Sequence, residues 1–372
     1  MKSLGGVIAL PDGSTVKGVV TFTDRITALE ASATAGDDYI LPGLIDLQVN
    51  GSHGIDVMRA SATELAALAL HLAREGTTAF LPTAVTAPME RIERAYAAIA
   101  EARDNDAAPG AAAILGMHLE GPFISPLRLG AHPPLNLEPR GEPLERVLAM
   151  RALRIVTLAP ELAGATDAIA KLVARGVVVS IGHTNATLEE ARAGIDAGAR
   201  MFTHLFNAMR PLGHRDPGVI AAALAPSPAL AAVIPDGVHV HPEVLAIAYR
   251  SRGPHGMILT TDKVALAATV AGTADTVGRA RARVERGAAR LADGTLAGSV
   301  ISMLDGVRLM GDQVDRIGVG IGAMALMAAT NPARLIGAND RGRIEVGARA
   351  DLIVLDRRLK LKTVLIAGRE LQ

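Results

Sequence analysis

The stretch Leu44-Ile45-Asp46-Leu47-Gln48-Val49 is short and largely apolar, and it is the first of eight such stretches along the chain. The others are residues 79–85, 114–119, 155–159, 177–181, 201–205, 231–234 and 257–260. Segments rich in Ala, Leu, Glu and Arg, typical of helices, lie between most of them, for instance residues 63–75, 89–103 and 188–197. Apolar strands joined by helices are typical of a parallel sheet that is buried on both faces. Eight such units favour an α/β fold with a closed (β/α)₈ barrel, the TIM barrel, over an open sheet.

Both ends of the chain have a different pattern. Residues 4–40 contain short β-compatible runs separated by turn residues such as Asp12-Gly13. The tail is β-like again at residues 350–355 and 362–367. We therefore predict that the two ends pair into one small sheet domain beside the barrel.

The composition argues against several kinds of partner and site. The 372 residues carry 38 basic and 38 acidic side chains, so bulk charge does not favour nucleic acid or an anionic membrane surface. No cysteine is present, so a metal would have to be held by His, Asp, Glu or amide oxygens. Neither a signal-peptide pattern nor a membrane-spanning apolar stretch is visible. We expect a soluble, cytoplasmic protein with no nucleic-acid or membrane partner.

Polar side chains follow the predicted strands at the ends where a barrel builds its active site. They are Asp46, Gln48 and Asn50 at the first strand, His118 and Glu120 at the third, His183 at the fifth, His204 and Asn207 at the sixth, Asp236 and His239 at the seventh, and Asp262 at the eighth. Because these strand ends converge on one face of a barrel, we expect residues far apart in the sequence to meet there.

Three of these residues, Glu120, His183 and His204, form a candidate metal set. One carboxylate and two imidazoles leave an open coordination position for water, as a catalytic zinc site requires. The alternative for each histidine is a structural role or a substrate contact, which is the commoner role of a single histidine at a strand end. Convergence from three strands favours the metal site.

Asp262, at the end of the last strand, is the candidate acid/base. A carboxylate that faces the metal centre can take a proton from the attacking water and deliver it to a leaving amine. The alternative is an aspartate that caps a turn, which is the commoner role of this residue after a strand. Its position in the last strand of a metal-binding barrel favours catalysis.

Four motifs carry a specific resemblance. Gly-Met-His-Leu-Glu-Gly-Pro-Phe at residues 116–123, Gly-His-Thr-Asn-Ala-Thr at 182–187, Thr-His-Leu-Phe-Asn-Ala-Met at 203–209 and Asp-Gly-Val-His at 236–239 resemble the N-acetylglucosamine-6-phosphate deacetylases, a family of the amidohydrolase superfamily. The likeness runs from Leu-Pro-Gly-Leu-Ile-Asp at residues 41–46 to Ala-Asp-Leu at residues 350–352, so it covers nearly the whole chain.

The resemblance implies a TIM barrel at residues 41–339 and a small β-sandwich formed by residues 1–40 together with residues 340–372. It also implies the metal set and the acid/base residue named above. Many relatives carry a His-x-His pair for a second metal where this chain has Gln48 and Asn50, and neutral amides are poor zinc ligands. We therefore expect one divalent metal ion per subunit, Zn²⁺ or, as the alternative, Fe²⁺.

The activity that the resemblance implies is hydrolysis of the N-acetyl group of N-acetylglucosamine 6-phosphate, which gives glucosamine 6-phosphate and acetate. By the same resemblance, His132 is a second catalytic residue that contacts the substrate carbonyl. Arg215 and His239 bind the sugar phosphate, together with backbone groups of Asn207 and Ala208. The family also implies a homodimer in which Arg215 and His239 reach the neighbouring subunit's site.

Lys263 departs from the family pattern, which usually has alanine after the catalytic aspartate. A nearby ammonium group would lower the pKa of Asp262 and weaken it as a base. We hypothesise that Lys263 points away from Asp262, into the helix layer or solvent, because neighbouring residues of a strand face opposite sides.

Three other functions stay open. The first is deacetylation of an isomeric sugar such as N-acetylgalactosamine 6-phosphate, which would use the same metal set. The second is another amidohydrolase reaction, on a cyclic amide or an N-acyl amino acid, although Arg215 and His239 argue against a substrate without phosphate. The third is a barrel that has lost catalysis and acts as a binding protein, against which the intact metal set and Asp262 argue.

Overall fold

The computed structural model describes residues 1–105, 108–269, 273–277, 280–314 and 318–371, without the side chains of residues 277 and 312–314. Its strands, in chain order, are β1 (Lys2–Ala9), β2 (Thr15–Phe22), β3 (Ile26–Ala31), β4 (Tyr39–Pro42), β5 (Leu44–Val49), β6 (Gly51–Ser52), β7 (Ile55–Asp56), β8 (Thr77–Val85), β9 (Ala113–Ile114), β10 (Met117–Glu120), β11 (Leu153–Leu158), β12 (Val178–Ile181), β13 (Met201–Phe202), β14 (Leu230–Val233), β15 (Met257–Leu259), β16 (Ala274–Val277), β17 (Ala280–Glu285), β18 (Ala288–Leu291), β19 (Leu296–Ser299), β20 (Leu352–Leu355), β21 (Leu361–Ile366) and β22 (Arg369–Glu370). Its α-helices are α1 (Ala62–Arg74), α2 (Met89–Asp104), α3 (Gly141–Leu148), α4 (Ala165–Ala174), α5 (Leu188–Asp196), α6 (Gly218–Leu224), α7 (Pro242–Arg252), α8 (Met303–Val314), α9 (Ile321–Ala325) and α10 (Asn331–Leu335).

Eight parallel strands form the barrel that the sequence predicts. They pair in the order β5, β8, β10, β11, β12, β13, β14 and β15. The barrel closes where the end of the last strand meets the first, because Lys263 forms a parallel bridge with Val49. Beside that bridge, the Asp262 N–H donates to the Gln48 carbonyl at 3.0 Å and the Asn50 N–H donates to the Lys263 carbonyl at 2.8 Å.

Some of the helices begin where short polar side chains satisfy their first N–H groups. Ser61 and Glu64 form a reciprocal capping box at α1, and Thr187 and Glu190 do the same at α5. The inner faces of the helices then pack with the barrel strands in the largest buried apolar cluster. Among the described residues, none of the helices combines the length and apolar character needed to cross a bilayer.

Two barrel strands differ from the limits that their apolar runs suggest, one because it is split and one because it ends early. The third run is split into β9 and β10 by Gly116, which has φ 138° and where a Cβ would lie 2.5 Å from the Ala152 carbonyl oxygen. The sixth strand was expected to continue to Leu205, but β13 stops at Phe202. The reason is that His204 adopts a left-handed backbone with φ 29°, which is incompatible with a strand.

The two chain ends share one seven-stranded sheet, as predicted, in the order β22, β21, β20, β4, β1, β2, β3. Strand β4 joins the halves, because it pairs in parallel with β1 and antiparallel with β20. Ile8, Phe22 and Leu352 are among the residues of a buried cluster that both ends build together. The limits proposed for the two domains, residues 1–40 with 340–372 and residues 41–339, stay predictions.

Between β15 and α8 the chain forms a four-stranded antiparallel sheet, β16 to β19, which the sequence analysis did not predict. Two sequence signals point to it. Apolar and charged residues alternate in Ala280-Arg281-Ala282-Arg283-Val284-Glu285, and the turn pair Asp293-Gly294 separates the last two strands. Ala282 and Leu291 of this inserted sheet pack against Val264 and Leu266, directly after the last barrel strand.

Asp46 stabilises the seam of the barrel, which is the junction between the first strand, β5, and the residues that follow the last strand, β15. Its buried carboxylate accepts hydrogen bonds from the hydroxyls of Thr260 (2.8 Å) and Thr261 (2.5 Å) and from the N–H groups of Gln48 and Thr261 (both 3.2 Å). One side chain of the first strand therefore satisfies several donors near the end of the last strand.

Asp46→Ala is expected to lower the free energy of unfolding by about 2–4 kcal/mol, because it leaves buried donors of Thr260 and Thr261 without an acceptor. Urea denaturation followed by circular dichroism measures this change. The control is Asp196→Ala, which removes an exposed carboxylate at the end of α5 and should change stability by less than about 0.5 kcal/mol. An equal effect of the two substitutions would show that Asp46 does not hold the seam.

Candidate metal centre and active site

A cavity of about 700 Å³ opens where the carboxyl ends of the barrel strands meet. Its lining includes Glu120 from β10 and His183, His204 and Asp262 from the segments after β12, β13 and β15. The structure therefore brings the predicted metal set and the predicted acid/base together. The same lining also contains the predicted substrate-contacting residues His132, Asn207, Ala208 and His239.

One oxygen of Glu120 and the Nε2 atoms of His183 and His204 form a nearly equilateral triangle. Oε1 of Glu120 lies 3.2 Å from His183 Nε2 and 3.0 Å from His204 Nε2, and the two Nε2 atoms are 3.1 Å apart. Ligand atoms bound tetrahedrally at about 2.0–2.1 Å from an ion lie about 3.3 Å apart. Lone pairs this close repel one another unless a cation or a proton lies between them. The donor set therefore fits a small divalent ion.

The ring of His183 is turned so that Nε2 presents a lone pair to this triangle. Its Nδ1 lies 2.9 Å from the carbonyl oxygen of Arg128, and since a carbonyl can only accept, Nδ1 must carry the proton. For His204, the buried Nδ1 has no hydrogen-bond partner among the described residues. The neighbouring backbone thus fixes the ligand atom of His183 but not that of His204.

His132 provides a second, overlapping set of possible ligands. Glu120, His132 and His183 lie close enough together to hold a cation. However, Nε2 of His132 is 3.7 Å from the nearer oxygen of Glu120, whereas the set with His204 has no separation above 3.2 Å. His132 is also held at Nδ1 by the Thr86 hydroxyl, 2.8 Å away. The tighter triangle favours the set predicted from the sequence.

Three residues of the site have left-handed backbone conformations that side chains rarely adopt. The φ angles are 47° for His183, 29° for His204 and 50° for Asp262. Each lies two or three residues after a barrel strand. Distant segments hold two of them, because Ser125 N–H donates to the His183 carbonyl (2.8 Å) and Ser299 N–H donates to the Asp262 carbonyl (3.0 Å). Strain of this kind is typical of functional positions that the surrounding fold holds in place.

Asp262 faces the cavity with one oxygen engaged by amides of the first strand. Oδ1 accepts hydrogen bonds from Gln48 Nε2 at 3.0 Å and from Asn50 Nδ2 at 2.6 Å. Enclosure of the carboxyl group, together with the negative charge of Glu120, raises the pKa of Asp262 to about 6. A carboxyl group with such a pKa can both accept and release a proton near neutral pH.

The other titratable groups of the site have pKa values set by burial and by one another. Burial alone would raise the pKa of Glu120, but the neighbouring imidazoles of His132, His183 and His204 outweigh it and hold that pKa well below its usual range. Burial would lower the pKa of His204, but the hydrogen bond and charge of Glu120 outweigh it and raise that pKa. Burial, with His183 nearby, lowers the pKa of His132. Glu120 therefore stays ionised at the centre of the site.

Lys263 points away from Asp262, as hypothesised. Its side chain is 2% exposed, and its Nζ lies 2.7 Å from Oε2 of Glu75, which follows helix α1. The positive charge is thus paired in the helix layer, outside the cavity. Lys263 ties the end of the last strand to α1 and does not contribute a cation to the site.

His239, which also lines the cavity, is held at Nδ1 by Asp236, 2.6 Å away. Burial would raise the pKa of Asp236, but its bonds to His239 outweigh burial and lower that pKa. Asn207 and Ala208 line the cavity nearby. Arg215 is exposed in the loop before α6 and lies outside the cavity lining of its own chain.

Two groups of residues at or beside the cavity were not assigned a role from the sequence. Gln48 and Asn50 were interpreted only as poor metal ligands, yet both donate to Asp262. Residues 295–298 of the inserted sheet also line the cavity. The partners are too far apart in the chain for local spacing to reveal them.

Comparison with known proteins agrees with this architecture. Residues 39–371 match the model of the amidohydrolase family. The N-acetylglucosamine-6-phosphate deacetylase of Danio rerio is 38% identical over 346 residues, covering 89% of this chain and 84% of that protein. The N-acetylgalactosamine-6-phosphate deacetylase of Escherichia coli O157:H7 is 38% identical over 348 residues, covering 92% and 90%.

A solved structure has the same fold. It is the N-acetyl-D-glucosamine-6-phosphate deacetylase of Mycobacterium smegmatis, a mutant in complex with N-acetyl-D-glucosamine-6-phosphate. It superposes with a TM-score of 0.91 at 35% sequence identity, covering 99% of this chain and 98% of that one. Because the family model and these relatives span nearly the whole chain, the chain belongs to the amidohydrolase family, in its N-acetylglucosamine-6-phosphate deacetylase branch.

Proposed function

We propose that the protein hydrolyses the N-acetyl group of N-acetylglucosamine 6-phosphate. Water adds to the amide carbonyl, the C–N bond breaks, and the products are acetate and glucosamine 6-phosphate. The observation that carries the proposal is the triangle of Glu120, His183 and His204 beside Asp262, in one cavity at the mouth of the barrel. The names of the relatives support the choice of substrate.

We assign the metal site to Glu120, His183 and His204, with one divalent ion per chain. Zn²⁺ suits a set of two imidazoles and one carboxylate, and Fe²⁺ is the alternative. A bound ion would supply Lewis-acid activation of the attacking water and of the amide carbonyl. A second ion is not expected, because the amides of Gln48 and Asn50 direct their amino groups, not their oxygens, toward the carboxylates of the site.

Asp262 moves the protons of the reaction. Its carboxylate accepts a proton from the attacking water and delivers it to the amine nitrogen as the C–N bond breaks. Enclosure in the site supports this role, since it raises the pKa of Asp262 to about 6 and so brings it nearer to the pH at which the enzyme works.

His132 is assigned to the carbonyl oxygen of the substrate. Burial lowers its pKa, so the ring is neutral and has one proton to place. When the Thr86 hydroxyl donates to Nδ1, that proton lies on Nε2, which can then donate to the oxygen on which negative charge develops.

His239 and the backbone of Asn207 and Ala208 are assigned to the sugar phosphate. Arg215 would complete the phosphate site from the neighbouring subunit of a homodimer, because it is exposed and lies outside its own chain's cavity. A guanidinium group can hold phosphate through two parallel hydrogen bonds. His239, which was expected to reach the neighbouring site, lines the cavity of its own chain and is therefore assigned to the phosphate of its own chain's substrate. The reaction belongs to cytoplasmic amino-sugar metabolism.

N-Acetylgalactosamine 6-phosphate is the second candidate substrate. The Escherichia coli relative named for that substrate is as similar in sequence to this chain as the Danio rerio relative. The two sugars differ only in the orientation of one hydroxyl group. Neither alternative of a different kind, another amidohydrolase substrate or a non-catalytic binding protein, explains both the phosphate-binding residues and the complete catalytic set.

The proposed function is tested by metal analysis of the purified protein together with an acetate-release assay. We expect about one ion per chain and saturable acetate release from N-acetylglucosamine 6-phosphate, with much slower release from the sugar that lacks phosphate. Faster turnover of the galactosamine isomer would reassign the substrate. A metal-free protein without activity on either sugar would refute the proposal.

Asp262→Asn is expected to lower kcat by about 10²–10⁴-fold while the metal content stays unchanged, because the general acid/base is lost but no ligand is. Steady-state kinetics and metal analysis of the same sample measure both quantities. His204→Ala provides the contrast, since it should lose metal and activity together. Turnover of Asp262→Asn within about twofold of the parent would reject the acid/base role.

Arg215→Ala is expected to weaken substrate binding by removing a phosphate contact from the neighbouring site. Arg215→Ala and Asp262→Asn chains, each with low activity alone, should regain activity when co-expressed as a heterodimer. One of the two sites in that heterodimer then has an intact Asp262 and an intact Arg215. The assay uses heterodimers that are purified through a different affinity tag on each chain. If these heterodimers regain no deacetylase activity, the site is not shared between subunits.

A further inference from the structure

Gln48 and Asn50 are two enclosed amides at the end of the first barrel strand. Gln48 is fully buried. The oxygens Gln48 Oε1 and Asn50 Oδ1 are buried and have no hydrogen-bond partner among the described residues. Their amino groups, by contrast, donate to the carboxylates of the site. A buried acceptor without a partner is energetically unfavourable. The fold thus tolerates two unpaired buried acceptors next to Asp262.

We propose that Gln48 and Asn50 are positioning residues that fix Oδ1 of Asp262 and so reserve its other oxygen, Oδ2, for proton transfer. The inference rests on the proposed function, in which Asp262 is the acid/base. Gln48 Nε2 and Asn50 Nδ2 both donate to Oδ1, at 3.0 Å and 2.6 Å. Among the residues that the structure describes, no hydrogen bond reaches Oδ2.

The charges around the two amides explain why neutral donors stand there. Gln48 Nε2 lies 3.0 Å from Oε1 of Glu120 as well as 3.0 Å from Oδ1 of Asp262, so one amino group bridges two carboxylates. A carboxylate at position 48 or 50 would repel both anions. An amide contributes two N–H donors without adding charge. The reverse orientation would place amide oxygens against carboxylate oxygens, so the amino groups must face Asp262.

The backbone adds a second point of attachment. The Asp262 N–H donates to the Gln48 carbonyl at 3.0 Å, so Gln48 holds both the main chain and the side chain of Asp262. This bond and the Ser299 N–H to Asp262 carbonyl bond (3.0 Å) hold the left-handed conformation at φ 50°. Two side-chain bonds to one oxygen then restrict rotation of the carboxylate group itself.

A fixed carboxylate matters because proton transfer requires a well-aligned donor and acceptor. Displacement of a reacting group by about 1 Å can cost about 10²-fold in rate. Removal of one amide donor would leave the carboxylate attached but free to rotate, with water in place of the amide. The loss should therefore appear in kcat and not in the binding of the substrate.

Asn50→Leu tests the inference most directly, because it keeps the shape of the side chain, removes the donor, and touches no proposed metal ligand. We expect kcat to fall about 10–100-fold, KM to change by less than about threefold, and the metal content to stay at the parent level. Asn50→Ala should behave in the same way and serves if leucine is not accommodated. The matched control is Asn339→Leu at an exposed turn, which should leave all three quantities unchanged.

The same substitution in the Asp262→Asn background separates positioning from a direct contact with substrate. If Asn50 acts through the carboxylate, Asn50→Leu should lower the residual kcat by less than about twofold in that background. The inference would be overturned if Asn50→Leu lowered kcat by the same factor in both backgrounds. It would also be overturned if kcat of Asn50→Leu stayed within about twofold of the parent, or if only KM rose. These outcomes require an active parent, whereas failure of the proposed function itself would appear as a parent without deacetylase activity.

Discussion

The closure of the barrel between its first and last strands is the constraint on which the rest of the site depends. Lys263 pairs with Val49 there, and Asp46 holds the hydroxyls of Thr260 and Thr261. At this same seam, Asp262 receives its hydrogen bonds from the first strand. A barrel that failed to close at this point would still present the histidines, but it would leave the acid/base without a fixed position relative to them.

The site combines several unfavourable features that offset one another. Left-handed backbone conformations at His183, His204 and Asp262 are each unfavourable by about 1–3 kcal/mol. The carboxylates of Glu120 and Asp262 are brought together with imidazoles instead of being separated. Gln48 stands between these two anions and donates to both. The charge repulsion is concentrated at the position where a bound cation would relieve it.

Local patterns in the sequence predict the barrel and the strand-end residues of the site, whereas His132, Ala208 and Arg215 were assigned only through the family resemblance. Apolar runs reveal the strands, and polar residues directly after them, such as Glu120 and Asp262, mark the face where they converge. Interactions between distant segments do not follow from such patterns. The hydrogen bond from Asn50 to Asp262 joins positions 212 residues apart, and no spacing rule indicates it. The inserted sheet at β16 to β19 is a different case. Its alternating residues and its Asp293-Gly294 turn are visible in the sequence, but they do not belong to the strand–helix alternation that predicts the barrel.

A crystal structure of the metal-loaded protein, with anomalous scattering recorded at the absorption edge of the bound metal, tests the central claim most directly. We expect one anomalous peak per chain, about 2.0–2.2 Å from His183 Nε2, His204 Nε2 and a carboxylate oxygen of Glu120. We also expect Asp262 to lie across from the open position of that ion and not to bind it. A peak bound by His132 in place of His204, or a second peak at Gln48 and Asn50, would contradict the assignment of this site.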